Sequence, residues 1–109
     1  MPLTGKQRRQ LRALGHALKP VVQVGRSGLT DSVLAEIGTA LVAHELVKLK
    51  VGKDSPVDPT SAATELERAA QAEVVQMIGR VLLLYRRRTR DPTIELVASG
   101  PDDRESSAR

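Results

Sequence analysis

The sequence has no cysteine, phenylalanine or tryptophan, and its single aromatic residue is Tyr85. Without cysteine, the chain can form no disulfide, thiolate metal site or cysteine nucleophile. Proteins that hold single-stranded nucleic acid by stacking its bases need several exposed aromatic rings, and one tyrosine cannot supply such a platform. The hydrophobic core must therefore be aliphatic.

Long apolar runs are also missing. No run approaches the roughly 18 residues of a membrane-spanning helix, and the N-terminal stretch MPLTGKQRRQ lacks the apolar part of a signal peptide. We therefore expect a soluble, cytoplasmic protein with no membrane partner. The length of 109 residues fits a single domain, which we place at residues 1–98, followed by a disordered polar tail at residues 99–109.

Positive charge is concentrated in two blocks, although the net charge is only +4. Residues 1–30 contain six Lys and Arg residues and no acid, and residues 80–90 contain five and again no acid. A fold that brought the blocks together would carry the positive surface typical of proteins that contact a phosphate backbone. Two solvated basic stretches on unrelated faces are the alternative.

Hydrophobic periodicity predicts seven elements in the order α-β-α-β-α-β-β. The predicted helices are residues 4–17, 29–44 and 60–72. The predicted strands are residues 21–24, 46–51, 74–78 and 81–85, with residues 93–97 as a candidate edge strand. Thr4 is the predicted N-cap of the first helix, and Thr60 or Ser61 that of the third.

These elements predict an α/β (α+β) domain with a compact, mixed four-stranded sheet and helices packed on one or both faces. The first two strands should be parallel because a helix connects them, and the last two should form a hairpin. Apolar residues alternate with Lys48 and Lys50 in the second strand, so both lysines should project from one wet face.

A glycine-bracketed loop between a strand and a helix is the sharpest motif, and it consists of Gly25, Arg26, Ser27 and Gly28. Glycines let a backbone approach a phosphate, and the guanidinium and hydroxyl groups could bind it, as in the GXXG loop of KH domains. The pattern alone is weak, and an ordinary tight turn is the alternative. Asp31, in the first turn of the following helix, would repel a phosphate.

Catalytic and metal chemistry has little support in the sequence. His16 and His44 have no cysteine partner and no HExxH-like spacing, so we predict no metal site. Ser27 has no neighbouring base, and the carboxylates are most simply solvated faces and ends of helices. The glycine fingerprints of nucleotide sites are absent. We expect no enzymatic activity, no cofactor and no small-molecule substrate.

Several blocks of this sequence together resemble the CRM (YhbY-type) domain family. They are LKPVV at 18–22, GRSGLT at 25–30, HELVKLK at 44–50, IG at 78–79 and LYR at 84–86, so the resemblance covers Leu3 to about Arg86. It implies a fold similar to the C-terminal domain of bacterial translation initiation factor three. It also implies RNA binding, since single-domain bacterial relatives look like factors bound to precursors of the large ribosomal subunit and plant organelle relatives act in intron splicing.

The resemblance places the family's GxxG loop at residues 25–28 and its basic first-helix surface at the N-terminal cations. With the second basic block added, the predicted RNA-binding residues are Lys6, Arg8, Arg9, Arg12, Lys19, Gly25, Arg26, Ser27, Gly28, Arg80, Arg86, Arg87 and Arg88. Gly15 departs from the family pattern, in which a small helix former such as alanine is more usual. Arg87 and Arg88 replace a proline-containing segment.

Our first hypothesis is therefore a monomer that binds structured RNA, specifically ribosomal RNA during assembly of the large subunit, through sequence-tolerant phosphate contacts. The alternative is a regulatory or dimerising α/β module that binds a protein or a small ligand, with basic blocks that serve only solubility. That alternative predicts an exposed apolar patch or an open strand edge. A small hydrolase is a third, poorly supported option.

Overall fold

The computed structural model describes residues 3–97 of the chain. The helices are α1 (Gly5–His16), α2 (Asp31–His44) and α3 (Pro59–Ala69). The strands are β1 (Val22–Val24), β2 (Leu46–Val51), β3 (Glu73–Ile78) and β4 (Val81–Tyr85). The predicted order of elements is confirmed. The tail predicted at residues 99–109 lies outside the described residues.

The four strands form one mixed sheet in the order β1-β2-β4-β3. β1 pairs parallel with β2, and β4 pairs antiparallel with both β2 and β3. α2 connects β1 to β2, which gives the crossover that a parallel pair requires. The fold class and the mixed four-stranded sheet predicted from the sequence are therefore confirmed.

Helices cover the sheet on both faces. α2 and α3 cover one face through the larger core, which includes the fully buried Leu41, Leu49 and Leu66. α1 covers part of the other face through a smaller core around Leu11. Each fully buried leucine contributes about 1.5–3 kcal/mol. Tyr85 lies in the smaller core, so the one aromatic ring is not available for stacking on bases.

Capping residues determine where the helices begin, and the predicted cap of one helix is wrong. Thr4 caps α1 in a capping box with Gln7, as predicted. For α3 the predicted caps are wrong, because Asp58 accepts the Ser61 N–H at 2.7 Å and Pro59 occupies the first turn. Proline loses nothing at the first position of a helix, where its missing N–H would have no partner. The Asp-Pro pair is thus a helix start and not the end of a loop.

Residues 93–97, the candidate edge strand, join no strand of the described chain, so that prediction is wrong. They run along α1, where Gln7 donates to the Val97 carbonyl at 2.9 Å and Gln10 accepts the Val97 N–H at 2.7 Å. Two of their aliphatic side chains pack against the smaller core. Side chains of a helix therefore satisfy backbone groups that a neighbouring strand would otherwise have bonded.

Glu45, at the junction of α2 and β2, is a fully buried carboxylate that fixes the chain after β4. One of its oxygens accepts the N–H groups of Thr93 and Ile94, both at 2.7 Å. The other oxygen accepts the Arg88 N–H at 2.7 Å. The Glu45 carbonyl also accepts the Arg86 N–H at 2.9 Å. One residue therefore holds residues 86–94 in place.

The hydrogen bonds to Glu45 outweigh the cost of burying it. Burial raises the pKa of the Glu45 carboxyl, but the three backbone N–H donors and the charge of Arg88 together bring it below its usual value. The residue also has φ of 63°, a left-handed conformation that favours glycine. The three accepted hydrogen bonds give a physical reason for glutamate at a position whose backbone suits glycine.

We predict that Gly15→Ala destabilises the protein. A Cβ at position 15 would lie 2.5 Å from a methyl carbon of Leu83, and its three nearest atoms all belong to that side chain. Alanine gains about 1 kcal/mol of helix propensity, but displacing a packed leucine costs about 1–3 kcal/mol. Urea unfolding should show a net loss of free energy, and Leu83→Val in the Gly15→Ala background should recover part of it. An unaltered or raised stability for Gly15→Ala alone would contradict this contact.

We predict that Glu45→Gln lowers the free energy of unfolding by about 1–3 kcal/mol, because an amide NH₂ would face a buried N–H donor. The pKa of Glu45 is lowered in the folded state, so its contribution is complete above the unfolded value near 4.5 and is lost as the pH falls through the lower folded pKa. Unfolding measured between about pH 6 and about pH 3 should show a weaker acid dependence in Glu45→Gln than in the exposed control Glu36→Gln. Identical pH profiles for the two variants would refute the role assigned to the buried carboxylate.

Candidate nucleic-acid interface

The glycine-bracketed loop is a tight turn at the end of β1. The Gly28 N–H donates to the Gly25 carbonyl at 3.0 Å, and Gly28 has φ of 73°. A Cβ at Gly28 would also lie 3.0 Å from the ring of Pro56, so both the backbone angle and the space require glycine. Arg26 and Ser27 form the tip of the turn, and both are exposed.

The helix that follows the loop offers little to an anion at its N-terminus. Thr30 caps α2 by accepting the Val33 N–H at 3.1 Å, and Asp31 places a carboxylate in the first turn. Arg26, by contrast, has a side chain that is 89% exposed and lies 3.8 Å from the exposed carboxylate of Asp54. An ion pair so exposed contributes little and exchanges readily. Binding of an anion should therefore depend on the tip of the turn.

Two other turns lie beside the loop at this end of the sheet. The Gly52 N–H donates to the Val24 carbonyl at 2.8 Å, which joins the turn after β2 to the end of β1. Arg80, in the turn between β3 and β4, donates from its guanidinium to the Gly52 carbonyl at 3.1 Å. Lys53 follows Gly52 and is exposed. Arg26, Lys53 and Arg80 thus come from three separate turns to one end of the sheet.

The face of the sheet that α1 covers in part has an uncovered portion next to these three cations. The register places one row of residues across all four strands, namely Gln23, Lys50, Val81 and Ile78. All except the half-buried Val81 are exposed. In the adjacent row, half-buried Lys48 is opposite Leu83, the residue that lies under Gly15 of α1. The helix therefore ends its coverage of the sheet one row before Lys50.

We call this end of the molecule the loop-end surface and define it by Arg26, Ser27, Lys48, Lys50, Lys53 and Arg80. The sequence prediction of RNA-binding residues omitted its three lysines. The alternation in β2 contained the signal for Lys48 and Lys50, because it predicts that both point to the wet face. Nothing local marks Lys53, whose place depends on the contact between two turns.

The predicted basic residues of α1 lie in different environments. Arg8 forms an ion pair with Glu73 and donates to the Val74 carbonyl at 3.5 Å, so its charge is already compensated. The others form no ion pair within residues 3–97. Of these, Arg9 and Lys19 are exposed, whereas Lys6 and Arg12 are half-buried. The basic first-helix surface implied by the family resemblance therefore lacks a free charge at Arg8.

The second basic block is divided between the two ends of β4. Arg80 precedes the strand and Arg86 follows it, so five strand residues, roughly 17 Å at ~3.3 Å each, separate them. The Arg86 guanidinium donates to carbonyls of α3 and α2 at 2.7 and 3.3 Å, and Arg88 donates to a carbonyl of α2 at 3.1 Å. Arg87 is exposed. The expectation that both blocks meet around the glycine loop therefore holds for Arg26 and Arg80. It fails for Arg86–Arg88, and also for Arg8, whose partner Glu73 is opposite Tyr85 at the other end of β4.

Two other classes of site have no counterpart in the part of the chain that the structure describes. No three His, Asp or Glu side chains in residues 3–97 come together as metal ligands would. Among the same residues, no helix combines the length and the apolar character needed to cross a bilayer.

Comparison with known proteins identifies a domain family and several similar proteins. The model of the CRS1 / YhbY (CRM) domain matches residues 3–86. Probable RNA-binding protein YqeI of Bacillus subtilis is 38% identical over 94 residues, which are 86% of this chain and 98% of that protein. A protein of Haemophilus influenzae named RNA-binding protein is 44% identical over 84 residues, or 77% of this chain and 85% of its own length.

A solved structure shows the same architecture. The solution structure of SAV1595 from Staphylococcus aureus superposes with a TM-score of 0.74 at 35% sequence identity, and it covers 88% of this chain and all of its own. Fold, residue matches and the extent of the domain model agree with one another. The chain belongs to the CRS1 / YhbY (CRM) domain family.

Proposed function

We propose that this protein binds RNA through the loop-end surface, and that its target is ribosomal RNA in precursors of the large ribosomal subunit during their assembly. The observation that carries the proposal is the convergence of Arg26, Lys53 and Arg80, from three turns, beside the open row that contains Lys50. The names of the relatives support RNA as the polyanion.

Binding of this kind depends mainly on the phosphate backbone. Lysine and arginine side chains at the loop-end surface neutralise phosphates, and Ser27 adds a hydroxyl that can hydrogen-bond them. Gln23, in the same open row, is an uncharged group able to bond a ribose hydroxyl or a base edge. Because Tyr85 is buried, it offers bases no stacking platform, and the surface suits folded RNA better than an extended single strand.

The remaining predicted residues differ in whether they contact RNA or support the fold in this proposal. Lys6, Arg9, Arg12 and Lys19 can extend the contact along α1, whereas Arg8, Arg86 and Arg88 mainly support the fold. We further propose that the protein acts as a cytoplasmic monomer, without a cofactor and by binding alone. Charge and hydrogen bonding at the loop-end surface are sufficient for that role.

We predict that the double variant Arg26→Glu/Lys50→Glu binds a large-subunit ribosomal RNA transcript at least ~30-fold more weakly at moderate salt, because two phosphate contacts become repulsive. The slope of log affinity against log salt should fall by about 2. Arg68→Glu/Arg90→Glu makes the same charge change at exposed positions away from this surface and should stay within about threefold of the parent. Fluorescence anisotropy over a salt series measures both quantities. Equal losses in the two double variants would mean that only net charge matters.

We predict that crosslinking in cells, followed by sequencing of the bound RNA, recovers large-subunit ribosomal RNA and its precursors in excess over small-subunit and messenger RNA. The enrichment should disappear in Arg26→Glu/Lys50→Glu and persist in Arg68→Glu/Arg90→Glu. Crosslinks distributed simply by RNA abundance would remove the ribosomal assignment while leaving RNA binding in place.

A further inference from the structure

An apolar groove lies between the C-terminal end of α1 and the edge of the sheet at β1 and β2. Its volume is about 410 Å³. The aliphatic residues that line it are Leu14, Leu18, Val21, Leu46, Val47 and Ile94. Leu46 and Val47 are buried and form its floor. Leu14 belongs to α1, Leu18 and Val21 to the connection between α1 and β1, and Ile94 to the segment after β4.

Half of the strongly exposed large hydrophobic side chains of the described chain lie in this groove. Six large hydrophobic side chains within residues 3–97 are strongly exposed, and three of them line it. Leu14 is 45% exposed, Leu18 39% and Val21 57%. Single exposed aliphatic residues are normal on a protein surface, but a contiguous apolar patch is typical of a contact site.

The charged side chains that line the groove, Lys19 and Lys48, are both positive. Lys19, Lys48 and His44 complete the lining, and none of the lining residues in the described chain is a carboxylate. Two acids adjoin lining residues along the chain: Glu45 is buried and occupied by three N–H donors, and Glu95, next to Ile94, is exposed but does not line the groove. An occupant with apolar side chains and flanking carboxylates would therefore be complementary in both shape and charge.

RNA fits this groove poorly. Its floor offers a phosphate or a base edge no side-chain hydrogen bond, because Leu46 and Val47 form it, and desolvating a phosphate there would be costly. None of its lining residues in residues 3–97 is Phe, Tyr or Trp, so the His44 imidazole is the one ring there on which a base could stack. The cations at its rim remain accessible to carboxylates.

We propose that this groove binds an acidic segment of a protein partner, which inserts one or two large aliphatic side chains and places its carboxylates against Lys19, Lys48 and His44. Lys48 also belongs to the loop-end surface, so the two sites adjoin. The partner segment would therefore lie beside bound RNA. This inference stands independently of the identity of that RNA.

Selection of a displayed library of random peptides against the full-length chain tests the proposal. The selected peptides should carry large aliphatic residues flanked by Asp or Glu. A synthetic copy should bind at least tenfold more weakly to Val21→Glu than to the parent, and equally well to Val42→Glu. Val42 is the matched control, because it is exposed to the same 57% and does not line the groove. Reversal of the peptide's acids to lysine should abolish binding.

Three results would overturn the proposal: selected peptides that are basic or purely polar, peptides that bind Val21→Glu and Val42→Glu equally, or no peptide that depends on the groove. Loss of ribosomal RNA binding in Val21→Glu but not in Val42→Glu would assign the groove to RNA instead. Thermal unfolding checks that each variant is folded. If Val21→Glu is unfolded, Val21→Ser removes the same apolar contact without adding charge and should still weaken the peptide severalfold.

Discussion

Gly15 lets α1 lie directly on Leu83, and this contact divides one face of the sheet into a covered and an open part. α1 crosses the sheet from Glu73 of β3, over Leu83 of β4, to the start of β2, and it buries the smaller core. The row that contains Lys50 stays open beside it. The end of the same helix forms one wall of the apolar groove. Both proposed binding surfaces therefore depend on how closely one helix approaches one leucine.

The buried carboxylate of Glu45 holds the segment after β4 against the face of the sheet that α1 covers. An ionised group in a core is costly unless its oxygens are fully hydrogen-bonded, and here three backbone N–H groups satisfy them. These donors belong to the segment after β4, which contributes Ile94 to the apolar groove. Residues 88–94 pair with no strand, so the acid replaces the ladder that would otherwise hold them. The groove thus depends on a charge whose own role is structural.

Local patterns predicted the fold well, because its strands and two of its helix starts are determined by residues that are close together in the sequence. The alternation of β2, the apolar run of β4 and the Thr4 cap need no distant partner to be recognised. The wrong predictions concern residues whose contacts are distant in the sequence. Residues 93–97 have the pattern of a strand, but side chains of α1 form the hydrogen bonds that a neighbouring strand would have formed. Arg86 has the charge of an RNA-binding residue, but its guanidinium donates to carbonyls of α2 and of the C-terminal end of α3. The separation of Arg80 from Arg86, however, already followed from the predicted length of the strand between them.

Arginine and lysine side chains have different roles in this protein. Arg86 and Arg88 use a planar guanidinium to reach several carbonyls at once, a geometry that suits bracing helices. The loop-end surface relies largely on lysines, whose mobile ammonium groups meet phosphates in many arrangements without requiring one orientation. Such contacts carry no sequence information. Selectivity at the proposed RNA interface must then come from spacing, since the rigid glycine turn and the lysines of β2 stand at fixed positions that only RNA of matching backbone shape can contact together.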